Sequence, residues 1–192
     1  MRNGKFFRIL GCVLILCGLA LVLATGYLNR KARQDAPRIA ARIHAIVPTT
    51  TTGSVDNYTD MDMPALQIEG RDYVALIRIP AYGVELPVGS SWDTKQIWSH
   101  PCRFWGTVYD GSLVVGGVDQ PGQLDFLDRI DLGCQILVTD MTGGEFSYLV
   151  ERIELRKQAD AETLLDETAD LTLFVRDTYS LEYLIVRCKS GS

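Results

Sequence analysis

Asp170-Leu171-Thr172-Leu173-Phe174-Val175-Arg176, followed after a polar connection from Asp177 to Glu182 by Tyr183-Leu184-Ile185-Val186-Arg187-Cys188, is the stretch that decides the fold. Both runs are short, apolar and rich in β-branched and aromatic residues, so they read as two strands joined by a six-residue polar turn. Working outward, the same texture extends back to about Met63. Tyr73 to Pro80 reads as a strand ended by proline, and Gly83 to Val88 as the next. Pro87 cannot donate to a ladder and belongs on an edge or bulge. Ser91 to Trp98 is expected to form a short helix capped by Ser91. Gly111 to Asp119 and Gly133 to Met141 are further strand candidates. Thr142-Gly143-Gly144 signals a hairpin turn, and Glu145 to Leu155 reads as the returning strand. Ala161 to Thr168 has the composition of a short acidic helix. Many short strands separated by turn residues predict a mainly β, closed barrel with short helices.

These segments, in this order, resemble the sortases, and in particular clostridial class B-like members of that family. Tyr73 to Val88 is similar to the opening strands that read Leu-x-Ile-Pro and then Leu-Pro-Val. His100-Pro101-Cys102-Arg103-Phe104-Trp105-Gly106 resembles a Ser-Pro-Cys-Arg-Tyr-x-Gly stretch, and Gly133 to Met141 resembles a Gly-Asp-x-Val strand with Cys134 at the aspartate. Thr172-Leu173-Phe174 resembles the start of Thr-Leu-x-Thr-Cys. The resemblance covers about Tyr73 to Cys188. It implies a sortase-like barrel and a cysteine transpeptidase ancestry tied to cell-wall attachment of Gram-positive surface proteins.

The positions that carry this chemistry in the family are all substituted. Arg176 stands at the nucleophilic cysteine, Val118 at the histidine and Tyr183 at the arginine. A guanidinium offers donors and no nucleophile, valine transfers no proton, and a phenol supplies a fraction of a guanidinium's hydrogen bonding. No histidine follows His100. The resemblance therefore implies a pseudoenzyme whose groove, with Val118, Asp119, Arg176 and Tyr183, holds a sorting-signal peptide or an active sortase. The alternative is an active cysteine transpeptidase or hydrolase with relocated residues, drawing on Cys102 beside His100, on Cys134 or on Cys188; the favoured reading of the first pair is instead a buried small cysteine beside a surface histidine. A decaying paralogue without a role fits the same sequence. Two placements of Arg176 are open: paired internally with Asp119 or Asp177, or facing the groove to capture a carboxylate.

Ahead of the barrel, residues 1–8 are basic, with Arg2, Lys5 and Arg8. Ile9 to Leu28 is an uncharged apolar run of the length that crosses a hydrocarbon core as a helix, at about 1.5 Å per residue. A cleaved secretory signal is the competing reading, with Ala24 and Gly26 as a weak cleavage motif. Basic residues flank the run on both sides, so charge leaves its orientation open. The family resemblance implies a single-pass plasma-membrane protein with its C-terminal part outside. Residues 29–62 comprise a helix, with Ile39, Ile43, Ile46 and Val47 on one side, and then a threonine-rich linker; residues 63–192 form the barrel domain. A net charge of −5 without a Lys/Arg block argues against nucleic acid, and no cysteine-histidine spacing suits zinc or another metal or cofactor. Cys102 and Cys188 are a candidate disulfide outside the cell.

Overall fold

The computed structural model describes residues 3–47, 51–52, 62–177 and 181–191, with the side chains of 3–10, 12, 25, 28–34 and 51–52 outside that set. It begins with one long helix, α1 (Asn3–Ile46), where two helical segments were expected. Its C-terminal part packs on the domain through Ile39, Ala40, Ile43 and the following Val47, against Ile68, Tyr73 and Leu76. Ile46, expected on this face, is exposed. Arg38 and Arg42 lie on the solvent side and pair with Glu69. Among the described residues no helix is long and apolar enough to cross a membrane. Residues 9, 10, 12, 25 and 28 of the expected span lie outside the described side chains; Leu14, Ile15, Leu19 and Leu23 are exposed.

Ten strands follow: β1 (Thr51–Thr52), β2 (Leu66–Ile68), β3 (Arg71–Ile79), β4 (Val84–Gly89), β5 (Cys102–Trp105), β6 (Leu113–Val118), β7 (Gln135–Asp140), β8 (Gly144–Arg156), β9 (Leu171–Arg176) and β10 (Tyr183–Ser190). A short helix, α2 (Ala161–Leu164), lies between β8 and β9. The order β8-β10-β9-β6-β5-β4-β3 closes on itself because β7 pairs with both β3 and β8, which makes an eight-stranded barrel. Closure removes free edges, the usual liability of a sheet. Its weakest seam is between β4 and β5, held at Gly89 and Cys102. Pro87 lies near this seam in β4, consistent with its lack of a donor.

The interior follows the period of two. Leu113 and Val115 from β6, Leu171, Leu173 and Val175 from β9, and Val186 and Cys188 from β10 all join the main core. Alternate residues of the same strands face outward. The β7–β8 turn is fixed by Asp140, a buried carboxylate that accepts from the Tyr109 hydroxyl (2.7 Å), the Thr142 amide (2.8 Å) and hydroxyl (2.7 Å), and the Gly144 amide (2.9 Å).

Two expected helices are largely absent. From Ser91 to Trp98 there is only a 3-10 turn at Gln96–Trp98, nucleated by Asp93, whose carboxylate takes the Lys95 amide and the Gln96 side chain. Trp92 is drawn into an aromatic cluster instead of a helix face. The acidic segment is helical only to Leu164, because Asp166 turns to bind Thr168 and Arg152. Cys102 and Cys188 are both free and buried. They sit three strand steps apart in the sheet order, roughly 14 Å at strand spacing and too far for a disulfide.

Replacing Asp140 with alanine strips partners from the Tyr109 hydroxyl and two amides at once. A loss of about 3 kcal/mol is expected, at the upper end for unsatisfied buried groups, and chemical denaturation of Asp140→Ala against the parent measures it.

Candidate functional site

The register of three neighbouring strands builds the site. β6 and β9 run parallel with Val118 opposite Arg176, and β9 and β10 run antiparallel with Arg176 opposite Tyr183. The three expected residues therefore form one row across the sheet. They lie on its outer face, since their neighbours Val175 and Leu184 belong to the interior. Two further rows continue beneath: Gly116, Phe174 and Ile185, then Val114, Thr172 and Arg187.

The upper row is open and the lower rows are filled. Arg176 is exposed, with its guanidinium carbon 5.9 Å from the centroid of the Tyr183 ring. That stacking stands where an internal ion pair to Asp119 or Asp177 was one of two expectations; among the described residues no ion pair of Arg176 with either occurs. Asp119 follows Val118 at the rim, and its carboxyl is pushed above the ordinary range by partial burial, then by repulsion from Asp177, Asp128 and Asp125. Below the row, Phe174 is only 4% exposed. Its ring stacks on Trp92 at 5.6 Å and meets Phe104 edge-on at 5.7 Å. Leu164 from α2 covers Val114 and Ile185 from the other side. Gly116 makes the room: a Cβ there would lie 2.3 Å from the Phe174 ring.

Arg187, which the sequence reading passed over, is the third residue of the lowest row. It is buried, donates to the Leu164 carbonyl (2.7 Å) and Thr172 hydroxyl (2.9 Å), bonds the Thr163 carbonyl, and lies 3.8 Å from both Glu154 and Asp166. Burial lowers its affinity for a proton and the two carboxylates oppose that. Its role is to hold the α2 segment over the sheet. A strand position alternating with core residues was the available signal.

The relocated-cysteine alternative has one concrete candidate among the described residues, His100 with Cys102. Both are buried, and His100 is not the surface histidine that the sequence suggested. A Cβ on Gly89 would sit 2.9 Å from His100 Nε2 and 3.0 Å from Cys102 Sγ, so imidazole, thiol and backbone close on one another. Burial, reinforced by the charge of Arg71, lowers His100 to about 4, and burial pushes the Cys102 thiol up to about 11. At neutral pH the pair is neutral imidazole and neutral thiol, the reverse of the ion pair that makes a cysteine nucleophilic. Cys188 is pushed up to about 12 and Cys134 is raised, both by burial. Among the described residues no cluster of metal-ligating side chains occurs.

No protein-family model and no curated protein matches the sequence. Solved structures do. A lid mutant of sortase A from Corynebacterium diphtheriae is 18% identical over 88% of this chain and 95% of its own, with a TM-score of 0.55. Sortase C1 of GBS Pilus Island 1 is 16% identical over 86% of this chain and 83% of its own, with a TM-score of 0.57. Clostridium perfringens sortase C, solved with the C-terminal cell wall sorting motif, is 17% identical over 61% and 69%, with a TM-score of 0.52. The chain has the sortase fold: a closed eight-stranded barrel with a few short helices.

The buried imidazole predicts a pH dependence. Its folded value of about 4 lies below the ordinary 6.5, so protons bind the unfolded chain more readily. The stability it contributes is complete above pH 6.5 and is lost between pH 6.5 and about 4, at about 1.4 kcal/mol per pH unit. Denaturation midpoints from pH 7 to 4.5 should show this slope reduced in His100→Gln.

Proposed function

We propose that this chain is a membrane-anchored, extracytoplasmic sortase-family protein without transpeptidase activity, which holds a peptide or a partner protein at the Arg176–Tyr183 end of the outer sheet face. The observation that carries this is the single row Val118, Arg176, Tyr183, on a sortase fold, at the positions where the family resemblance puts histidine, cysteine and arginine. A nucleophile defines the covalent route, and acid-base help supplies roughly 10²- to 10⁴-fold more. Neither is available in that row, and the buried His100–Cys102 pair offers no substitute.

Binding is the activity the row retains. An exposed guanidinium resting on an aromatic face is suited to a carboxylate, from an acidic side chain or a free C-terminus. The aromatic filling below it limits the contact to a short segment. A sorting-signal peptide or a catalytically active sortase is the expected partner, by analogy with the bound sorting motif of the C. perfringens enzyme. The anchor is read from the uncharged run 9–28, whose described leucines and isoleucines are turned to the surroundings.

The test combines chemistry and binding. Full-length protein incubated with sorting-signal peptides and an amine acceptor is expected to give no cleaved or transferred product; turnover abolished by thiol alkylation would overturn the proposal. Arg176→Ala is expected to melt within about 1 kcal/mol of the parent, the scale of an exposed cation–π contact. It should weaken peptide or sortase capture by about 1.5–3 kcal/mol, the scale of a charged hydrogen bond. Unchanged capture would remove Arg176 from the binding site.

A further inference from the structure

On the opposite side of the β4–β5 seam from the row just described, α1 does not close completely on the barrel. A half-open cavity of about 280 Å³ remains, bounded by the helix at Asp35 to Ile39, by Glu69, Arg71 and Tyr73 around β3, and by Pro87, Ser99 and His100. This volume is at the small end for a ligand site, where occupants carry few atoms and polar groups fix their orientation.

The charges in its wall are not all internally matched. Glu69 is taken by both Arg38 and Arg42 from the helix. Arg71 from β3 and Asp35 from α1 form no ion pair among the described residues. Arg71 lies against the Tyr73 hydroxyl and close enough to His100 for its charge to be felt there. His100, 3% exposed, has no hydrogen-bond partner for Nε2. Ile39 and Pro87 supply an apolar side to the same space. Arg71 is exposed at the mouth and Asp35 is half-buried, so water can meet their charges; the costly group is His100 Nε2, a buried polar atom without a partner that an occupant of the cavity could satisfy.

An anion alone would answer Arg71 and leave Asp35 facing more negative charge. A cation alone would do the reverse. We propose that the cavity binds a small zwitterion of the α-amino acid class, its carboxylate on Arg71 and the orphaned His100 Nε2 beside the Tyr73 hydroxyl, its ammonium on Asp35, and its side chain against Ile39 and Pro87. Because the two charged contacts come from the helix and the barrel, the occupant bridges α1 to β3. The ligand is either a free amino acid or a whole dipeptide, whose two termini supply the opposite charges.

Full-length protein in detergent is titrated with glycine, L-alanine, L-leucine and dialanine, with acetate and methylammonium as single-charge controls, while melting and heat of binding are followed. The expected result is a melting temperature that climbs with the logarithm of amino acid concentration, by the usual linkage of ligand to folded state. Neither control should reproduce it. Arg71→Met and Asp35→Asn, both at partly exposed positions, should melt like the parent without ligand and bind at least tenfold more weakly. Response to dialanine but to no free amino acid would assign the site to a dipeptide held by both of its termini. Absence of response to every zwitterion, an equal response to acetate, or undiminished binding in both variants would each overturn the proposal.

Discussion

Everything at the functional end of this molecule depends on one register, the parallel pairing of Leu113–Val118 with Leu171–Arg176. Parallel neighbours need a long crossover, and here more than fifty residues, including the β7–β8 hairpin and α2, separate the two strands. The pairing closes the barrel between its two halves and sets which side chains share a row. A slip by one residue would send Leu171, Leu173 and Val175 outward and Phe174 and Arg176 into the core. Burying Arg176 unpaired would cost several kcal/mol, so the apolar period and the arginine reject the slipped register together. Asp170 adds a further stop at the start of β9, taking the Lys189 ammonium at 2.9 Å and the Ser190 amide at 2.8 Å from β10.

Much of this was legible in the sequence because strand signals are local. The alternation in Leu171 to Arg176 and Tyr183 to Cys188, the proline after Ile79 and the Thr142-Gly143-Gly144 turn each announce themselves within a few residues. Juxtaposition of Val118, Arg176 and Tyr183 came through family likeness and not through any local pattern, since parallel register is invisible in a single strand. The misses share a different cause. Ser91 to Trp98 had a helical composition, but the long-range attraction of Trp92 to Phe174 and Phe104 outweighed it. His100 looked like a surface residue because nothing nearby in sequence foretells the Tyr73 ring, 4.9 Å away, or the glycine at 89 that admits it. Ile46 fell off the packed face of α1, whose contact runs through Ala36 and Ala40 instead.

The two candidate centres differ in burial and therefore in electrostatics. In the barrel wall, burial drives His100 and Cys102 to their neutral forms, which removes nucleophilicity. At the outer rim, the Arg176 guanidinium is exposed and rests on the Tyr183 ring, near the crowded carboxylates of Asp119 and Asp177. The first arrangement leaves no nucleophile in the wall, and the second leaves a guanidinium open at the rim, the feature on which the proposed recognition rests. Phe174, Trp92, Phe104 and Leu164 fill the lower rows and leave the upper row as the open part of this face.

The row Val118, Arg176 and Tyr183 is proposed to be the sortase catalytic row in substituted form. Its most direct measurement is the reactivity of a thiol restored there, comparing Arg176→Cys alone with the combined Val118→His/Arg176→Cys/Tyr183→Arg variant by alkylation rate between pH 5 and 8. If the three side chains share one row, the added imidazole and guanidinium should lower the new thiol's pKa and raise its alkylation rate at pH 6 by at least about tenfold. Identical rates and pH profiles in the two variants would contradict the alignment and, with it, the reading of this chain as a disarmed sortase.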